Sequence, residues 1–447
     1  MEYEHNMVQG TLISILILLS SLIILFFTYR IVTYECGGFR LDNVLFFFMI
    51  CYVVYAFIGS VLFNVFYLPH GRQYHIYETL GYLTTTWIIV AFGMFFIPLS
   101  QKVFTRNKLQ SVSYSLRNTD SHLEKLLLYF IFAFCCFILF SYSKKIGGIP
   151  LIRYLKDRSL SQAFLRSEAT NNFSGHAWRY VLFYETIPKV LLILTCFSSY
   201  KRFRNILFIY NCFIAVMTFQ KGPLINLFLL LLIIYARKKG KLSKKVIFFV
   251  GILCILLILL MYIFFMNAKG SIVSILEGAA GRIFLGQILC FPWFMKYADY
   301  FGFIGGTSFP NPHGIFPFEV NRITVNVMKF YKDSYQIDSQ GVVGSMLTVF
   351  PAEWYVNFGW IGIIISFILF AFIMFFVIRF CNKQIRIYHD KYAEALFVYL
   401  IFYMSKFAST SFTGIIIDET WIIPVLLLLG FRKVRSSFNY LKYRRGA

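Results

Sequence analysis

One polar segment, 144–178, contains the densest set of residues that can bind an anion. Its acidic residues are Asp157 and Glu168. Its cations are Lys144, Lys145, Arg153, Lys156, Arg158 and Arg166. Because planar guanidinium forks match phosphate oxygens, this pattern predicts a site for a phosphate-bearing ligand. The alternative is a solvated loop, or a loop that contacts anionic lipid headgroups.

Four further ionisable residues fall within or beside apolar runs. Glu185 and Lys189 are four positions apart, a spacing that lets them pair on one helix face. Lys221 and Lys406 add two cations. Because charges inside a membrane usually face a cavity or each other, we predict a polar cavity that contains Glu185, Lys189 and Lys406. The alternative is a structural Glu185–Lys189 pair, with the Lys406 amine reaching towards the membrane surface.

A second polar segment, 268–345, is rich in glycine and proline and predicts irregular backbone. It contains Arg282, His313 and Arg322. The two arginines are further candidates for anion binding. His313 is a candidate general base or hydrogen-bond donor, because its ordinary pKa lies near neutrality; the alternative is an ordinary surface histidine.

Glu353 follows this segment, at the predicted membrane surface and just before an apolar run. A carboxylate at such a boundary is a candidate to accept a proton from a sugar hydroxyl. The alternative is that Glu353 interacts favourably with the positive N-terminus of the helix that it begins. The sequence leaves both roles open.

The sequence has no Walker motif, dinucleotide fingerprint, HExxH motif or nucleophile elbow, each of which would indicate a particular chemistry. An Asp-rich run for a divalent metal is also missing. We therefore expect a cationic site without a metal or cofactor, for an anionic substrate that arrives through the lipid phase.

The composition places these residues in a membrane protein. The chain is 59% hydrophobic and 14% charged, whereas soluble domains are roughly 25% charged. The net charge of +23 would suggest nucleic acid in a soluble protein, but membrane topology explains most of it. The sequence thus excludes a cytosolic multidomain enzyme and a disordered chain, and predicts no nucleic-acid partner.

Apolar runs of about 20 residues can span a bilayer. They occur near 10–29, 44–66, 79–100, 123–143, 179–199, 245–267, 357–379, 392–413 and 420–435. The run 205–235 is longer and has basic clusters on both sides, so the positive-inside rule makes it a hairpin that crosses and returns.

These runs predict an all-α, polytopic protein with about eleven transmembrane helices, its N-terminus outside and its C-terminus inside. The predicted order is helices 1–4 in 1–143, a basic extracytoplasmic loop in 144–178 and helices 5–8 in 179–267. A large extracytoplasmic loop in 268–345 comes next, and 346–447 holds helices 9–11 and a basic cytoplasmic tail.

Several short motifs within this layout are similar to those of a known family. They are Gly147-Gly148-Ile149-Pro150-Leu151, Gln220-Lys221-Gly222 at the hairpin, and Glu353-Trp354-Tyr355-Val356-Asn357-Phe358-Gly359-Trp360-Ile361-Gly362. The chain resembles the Wzy family of bacterial O-antigen and capsule repeat-unit polymerases in layout over most of its length, and in sequence over these patches only. The family typically has arginine where this chain has Lys221, which keeps the charge but loses the bidentate fork.

The resemblance implies a glycosyltransferase of the bacterial cytoplasmic (inner) membrane. It would join undecaprenyl-pyrophosphate-linked repeat units on the outer face, without a nucleotide sugar or a metal. A flippase and a chain-length regulator would be its partners. The implied pyrophosphate and sugar contacts are Arg153, Arg158, Arg166, Lys221, Arg282 and Arg322, and the implied catalytic bases are His313 and Glu353.

Two other functions fit the same residues. An O-antigen ligase shares the layout and the basic outer loop, and differs in its acceptor. A flippase or other transporter is the non-enzyme alternative, and it would favour charges in both leaflets together with repeated halves.

Overall fold

The computed structural model describes most of the chain, and every regular element in the described part is a helix. The described residues are 2–36, 41–66, 80–104, 121–160, 164–165, 168–169, 177–217, 219, 221–240, 245, 248–249, 251–253, 256, 272–311, 314–332, 345–410 and 418–445. The α-helices are α1 (Glu2–Cys36), α2 (Val44–Tyr52), α3 (Ile58–Phe66), α4 (Leu80–Phe104), α5 (His122–Lys145), α6 (Pro150–Lys156), α7 (Ala177–Val181), α8 (Ile187–Cys196), α9 (Lys201–Met217), α10 (Lys221–Lys239), α11 (Ile272–Ala280), α12 (Phe291–Phe301), α13 (Ile323–Tyr331), α14 (Pro351–Tyr388), α15 (Lys391–Ser405) and α16 (Glu419–Arg445).

Five of the described helical stretches are long and apolar enough to cross a membrane. They are Leu12–Tyr34, Val44–Val65, Gly81–Phe104, His122–Lys145 and Pro351–Tyr388. A sixth is possible if Ile275–Leu285 and Ile288–Phe301, which meet at a 60° bend, form one broken span. This is the architecture of a membrane-embedded helical protein, as the composition predicted, and the first four stretches coincide with the first four predicted crossings.

The run 205–235 forms two helices rather than one. α9 ends at Met217, α10 begins at Lys221, and the two pack against each other. The basic clusters that flank this run therefore located a pair of packed helices, and their crossing of the membrane stays a prediction. The predicted crossings at 179–199, 205–235, 392–413 and 420–435 are not among the stretches that are long and apolar enough to cross a membrane, and the one at 245–267 lies mostly outside the described residues. The total of eleven crossings therefore stays a prediction.

The chain divides into two compact units. The first consists of Met1–Gln110, Gly270–Val377 and Met404–Ile417. The second consists of Ser111–Lys269, Ile378–Tyr403 and Asp418–Ala447.

The first unit has an aromatic core around α4. The Phe48 and Phe370 ring centroids are 4.6 Å apart, and Phe350 stacks on Phe370 at 4.8 Å. Gly93 of α4 lets α4 and α14 approach each other, because a Cβ at position 93 would lie 2.6 Å from the Phe367 ring of α14. Aromatic rings bury much apolar area and pack with defined geometry, so this core fixes the helices against one another.

A π-helical turn, Gly281–Leu285, follows α11 in the same unit and packs on a second π-helical turn, Val53–Phe57. At Gly59, just beyond the second turn, a Cβ would come within 1.9 Å of the Phe284 carbonyl oxygen. Only glycine permits this contact, so the backbone of 281–285 is held directly against α3. Part of the predicted outer loop 268–345 is therefore a packed apolar helix.

The second unit is built around α15, whose residues are almost all buried. A neighbouring cluster contains Tyr142 of α5, Tyr184 and Ile214, together with Ala169 from the segment after α6. A third π-helical turn, Leu182–Thr186, joins α7 to α8 and packs on α16. Polar side chains contact the neighbouring helices of this unit near both ends of α15.

Candidate functional site

The basic loop of the second unit begins with a glycine-dependent turn. Gly147 and Gly148 have positive φ angles of 69° and 116° and end α5, and Pro150 begins α6. Proline suits the first turn of a helix, where a backbone N–H has no helical partner. The side chain of Arg153 packs on Gly148, since a Cβ at Gly148 would lie 3.3 Å from Arg153 Cγ. The Gly-Gly-Ile-Pro motif therefore places Arg153.

Arg153 makes hydrogen bonds inside this loop. Its Nη1 donates to Glu168 Oε2 at 2.8 Å and to the Ile146 carbonyl oxygen at 3.1 Å. Both side chains are partly exposed, at 26% and 32%, so the pair contributes little to stability. The predicted ligand contact of Arg153 would have to coexist with this internal pair.

Arg158 differs from Arg153. Its side chain is exposed and pairs with none of the described residues. The neighbouring Asp157 accepts hydrogen bonds from the Ser159 hydroxyl and backbone N–H, which lower the pKa of the Asp157 carboxyl below its usual value. Arg166 lies outside the described residues.

The Glu185–Lys189 pair is present as its spacing predicted. Lys189 Nζ lies 2.5 Å from Glu185 Oε1, and the two side chains are 10% and 21% exposed. Pro188 cannot donate the helical hydrogen bond to the Tyr184 carbonyl, and the Tyr210 hydroxyl donates to that carbonyl instead, at 3.0 Å. Glu185 lies in the π-helical turn Leu182–Thr186, just before this proline.

Two tyrosines of α15 and the start of α16 add polar groups that the sequence analysis missed. The Tyr403 hydroxyl donates to Asp418 Oδ2 at 2.8 Å, and the Tyr399 hydroxyl donates to the Thr420 carbonyl. The turn Leu182–Thr186, which contains Glu185, packs on α16. The i, i+4 tyrosines and the Asp-Glu-Thr before an apolar run were the available signals. The structure thus extends the predicted polar cluster to α15 and α16.

Lys406 and Lys221 are the other two lysines that the sequence places within or beside apolar runs. Lys406 belongs to the first unit, where it begins the short 3₁₀ turn Lys406–Ala408 and is half-buried. Lys221 begins α10, and its side chain is outside the described residues. The inclusion of Lys406 in one cavity with Glu185 and Lys189 therefore stays a prediction.

The first unit presents two arginines that have no carboxylate partner among its described residues. Arg282 lies in the π-helical turn Gly281–Leu285, and Arg322 precedes α13. Both side chains are exposed. A charge inside or beside a membrane is costly unless something pairs with it, so both guanidinium groups are available to an anionic ligand.

Glu353 is buried rather than presented at the surface. It is 1% exposed, and its Oε1 accepts a hydrogen bond from the Ser308 hydroxyl at 2.9 Å. Asn357, one turn later, donates to both Ser308 Oγ and the Glu353 carbonyl at 2.8 Å. Gly306 N–H donates to Asn357 Oδ1 at 2.8 Å. A buried network therefore ties the loop 302–309 to the start of α14.

The glycines of the motif that begins at Glu353 have steric roles. Gly359 has a φ of 62°, which breaks α14 at this point, and a Cβ there would meet the Phe303 ring at 2.8 Å. At Gly362 a Cβ would lie 2.1 Å from the Trp354 carbonyl oxygen. The motif thus sets the backbone conformation at the start of α14, against which the loop 302–309 packs. His313 lies outside the described residues.

No protein-family model, curated protein or solved structure matches the chain. Among the described residues, no three His, Cys, Asp or Glu side chains are close enough to hold a metal ion. The family resemblance therefore rests on the layout and the short motifs.

Proposed function

We propose that the protein is a membrane glycosyltransferase that polymerises undecaprenyl-pyrophosphate-linked oligosaccharide repeat units into O-antigen or capsular polysaccharide. One observation supports this most. Three exposed arginines of the two predicted outer segments, Arg158, Arg282 and Arg322, have no carboxylate partner among the described residues. A fourth arginine of these segments, Arg153, pairs with Glu168 instead.

In the proposed reaction the growing glycan is the donor. A hydroxyl of an incoming lipid-linked unit attacks the anomeric carbon of the donor, and undecaprenyl pyrophosphate departs with the bonding electrons. A base, His313 or Glu353 in the sequence prediction, takes the proton of the hydroxyl. Fixed guanidinium groups stabilise the charge that develops on the leaving pyrophosphate, and such preorganised charge lowers a barrier most where water is excluded.

The proposal includes a topology. The eleven predicted crossings place the N-terminus outside, the C-terminus inside, and the segments 144–178 and 268–345 on the outer face of the bacterial cytoplasmic membrane. The substrate lipid would then reach the arginines from the bilayer. A flippase would deliver each unit, and a chain-length regulator would set the extent of polymerisation.

Reconstitution of the purified protein in lipid vesicles tests this proposal. Vesicles that contain undecaprenyl-pyrophosphate-linked repeat units should yield a ladder of lipid-linked oligomers without added nucleotide sugar or metal. Transfer to added lipid A core without oligomer formation would instead identify a ligase. Movement of the lipid-linked unit between leaflets without new glycosidic bonds would identify a transporter.

A further inference from the structure

The loop 302–309 is held by two side chains from one face of α14. Besides the Glu353–Ser308 and Asn357–Gly306 hydrogen bonds, Ile304 N–H donates to the Val356 carbonyl and Gly305 N–H to the Asn357 carbonyl, both at 3.1 Å. The loop therefore cannot shift without breaking several buried hydrogen bonds, and each buried polar group left unpaired is costly.

The same loop fixes the segment that contains Arg322. Asn321 N–H donates to the Thr307 carbonyl at 2.8 Å, and Thr307 is the neighbour of Ser308. The Asn326 side chain donates to Asn321 Oδ1 at 2.7 Å, which ties α13 to the same point. Hydrogen bonds thus link α14 through the loop 302–309 to Asn321, the residue directly before Arg322.

We infer that Glu353 and Asn357 are positioning residues that set the place of Arg322 through the loop 302–309. A general base must reach the proton that it accepts, directly or through one water. The Glu353 carboxylate is 1% exposed and accepts from Ser308, so it acts on the loop rather than on a substrate hydroxyl. This leaves His313 as the candidate base. The inference rests on the proposed function only for the identity of the anion at Arg322.

Substitution of Glu353 by glutamine or by alanine distinguishes a positioning residue from a general base. Glutamine keeps an oxygen that can accept from the Ser308 hydroxyl, but it cannot act as a base at neutral pH. Alanine removes both functions. A positioning residue is therefore rescued by Glu353→Gln, whereas a base is not.

The experiment uses the full-length protein in detergent with inorganic pyrophosphate as the probe. Arg322→Gln should weaken binding strongly. Glu353→Ala and Asn357→Ala should each raise the pyrophosphate Kd by about 5- to 20-fold, the loss expected for one or two hydrogen bonds. Glu353→Gln should restore most of the affinity that alanine loses. Glu319→Gln removes an exposed carboxylate of the same segment and should leave the Kd within about twofold of wild type.

Amide hydrogen exchange gives a readout that does not depend on catalysis. Exchange in 320–326 should rise in Glu353→Ala and return towards wild type in Glu353→Gln. Unchanged exchange in Glu353→Ala, or a Glu353→Gln enzyme that binds pyrophosphate normally but has lost turnover, would overturn the inference. If wild type forms no polymer while Glu353→Ala still loosens 320–326 and weakens pyrophosphate binding, the inference stands and the polymerase proposal fails.

Discussion

Lys391→Met is expected to lower the free energy of unfolding by about 3–5 kcal/mol, the range found when one partner of a buried ion pair is removed. Lys391 Nζ lies 2.6 Å from Glu124 Oε1, and the two side chains are only 1% and 4% exposed. The substitution leaves the Glu124 carboxylate buried without its cation. Thermal or denaturant unfolding of the purified protein in detergent measures the loss.

The double substitution Glu124→Gln with Lys391→Met distinguishes the loss of the ion pair from the cost of leaving one charge buried alone. Because it removes both charges together, it should regain most of the stability that the single change loses. Lys125→Met is the matched control: it alters an exposed lysine beside Glu124 and should change stability by no more than about 0.5 kcal/mol. An unfolding curve for Lys391→Met that overlays wild type would show that this pair does not hold α15.

The effect should be large because the start of α15 is a junction of helices. Besides the Lys391–Glu124 pair with α5, Glu394 accepts a bidentate contact from Arg237 of α10 at 2.7 and 3.1 Å. Asp390, just before α15, pairs with Arg432 of α16 at 3.1 Å. Three charged contacts thus join three other helices to one end of the most buried helix of the second unit.

Arg282→Gln is expected to reduce polymer formation by about 10²- to 10³-fold, the effect of removing one preorganised group that stabilises developing charge. Arg282→Lys keeps the charge but not the planar fork, so its activity should be intermediate. The measurement is glycan chain length in cells, with protein level and membrane insertion followed in parallel. Because Arg282 is exposed and no described residue pairs with it, the unfolding transition should not change.

Arg202→Gln is the control for this change. Arg202 is an exposed arginine at the start of α9, in a segment predicted to be cytoplasmic, and its loss should leave chain length unaltered. Normal chain length in Arg282→Gln would remove Arg282 from the site. Loss of chains in both variants would indicate a general effect of arginine removal.

The sequence predicted those features that depend on local pattern. Uninterrupted apolar runs located the helices around Val44–Val65 and Gly81–Phe104, because a lipid environment requires every backbone polar group to be paired within the segment. The four-residue spacing of Glu185 and Lys189 predicted their pair for the same reason: helical periodicity is local. The basic clusters beside 205–235 predicted a hairpin.

Contacts between distant segments could not be predicted in this way. Nothing near Glu353 indicates that Ser308 covers it, and nothing near Lys391 indicates Glu124, because tertiary packing determines both partners. The bend after Leu285 was also missed. Just before this bend Gly59 approaches the Phe284 carbonyl, a contact between residues far apart in the chain.

Deletion of the gene, followed by gel analysis of the cell-surface glycan, tests whether the protein polymerises the repeat units. If it does, the ladder of chain lengths should disappear while a single repeat unit remains attached to the lipid core, since assembly, flipping and ligation would all survive. Loss of all attached glycan with free lipid-linked polymer would contradict the proposed polymerase and indicate a ligase. Single units trapped on the cytoplasmic face would contradict it in favour of a flippase.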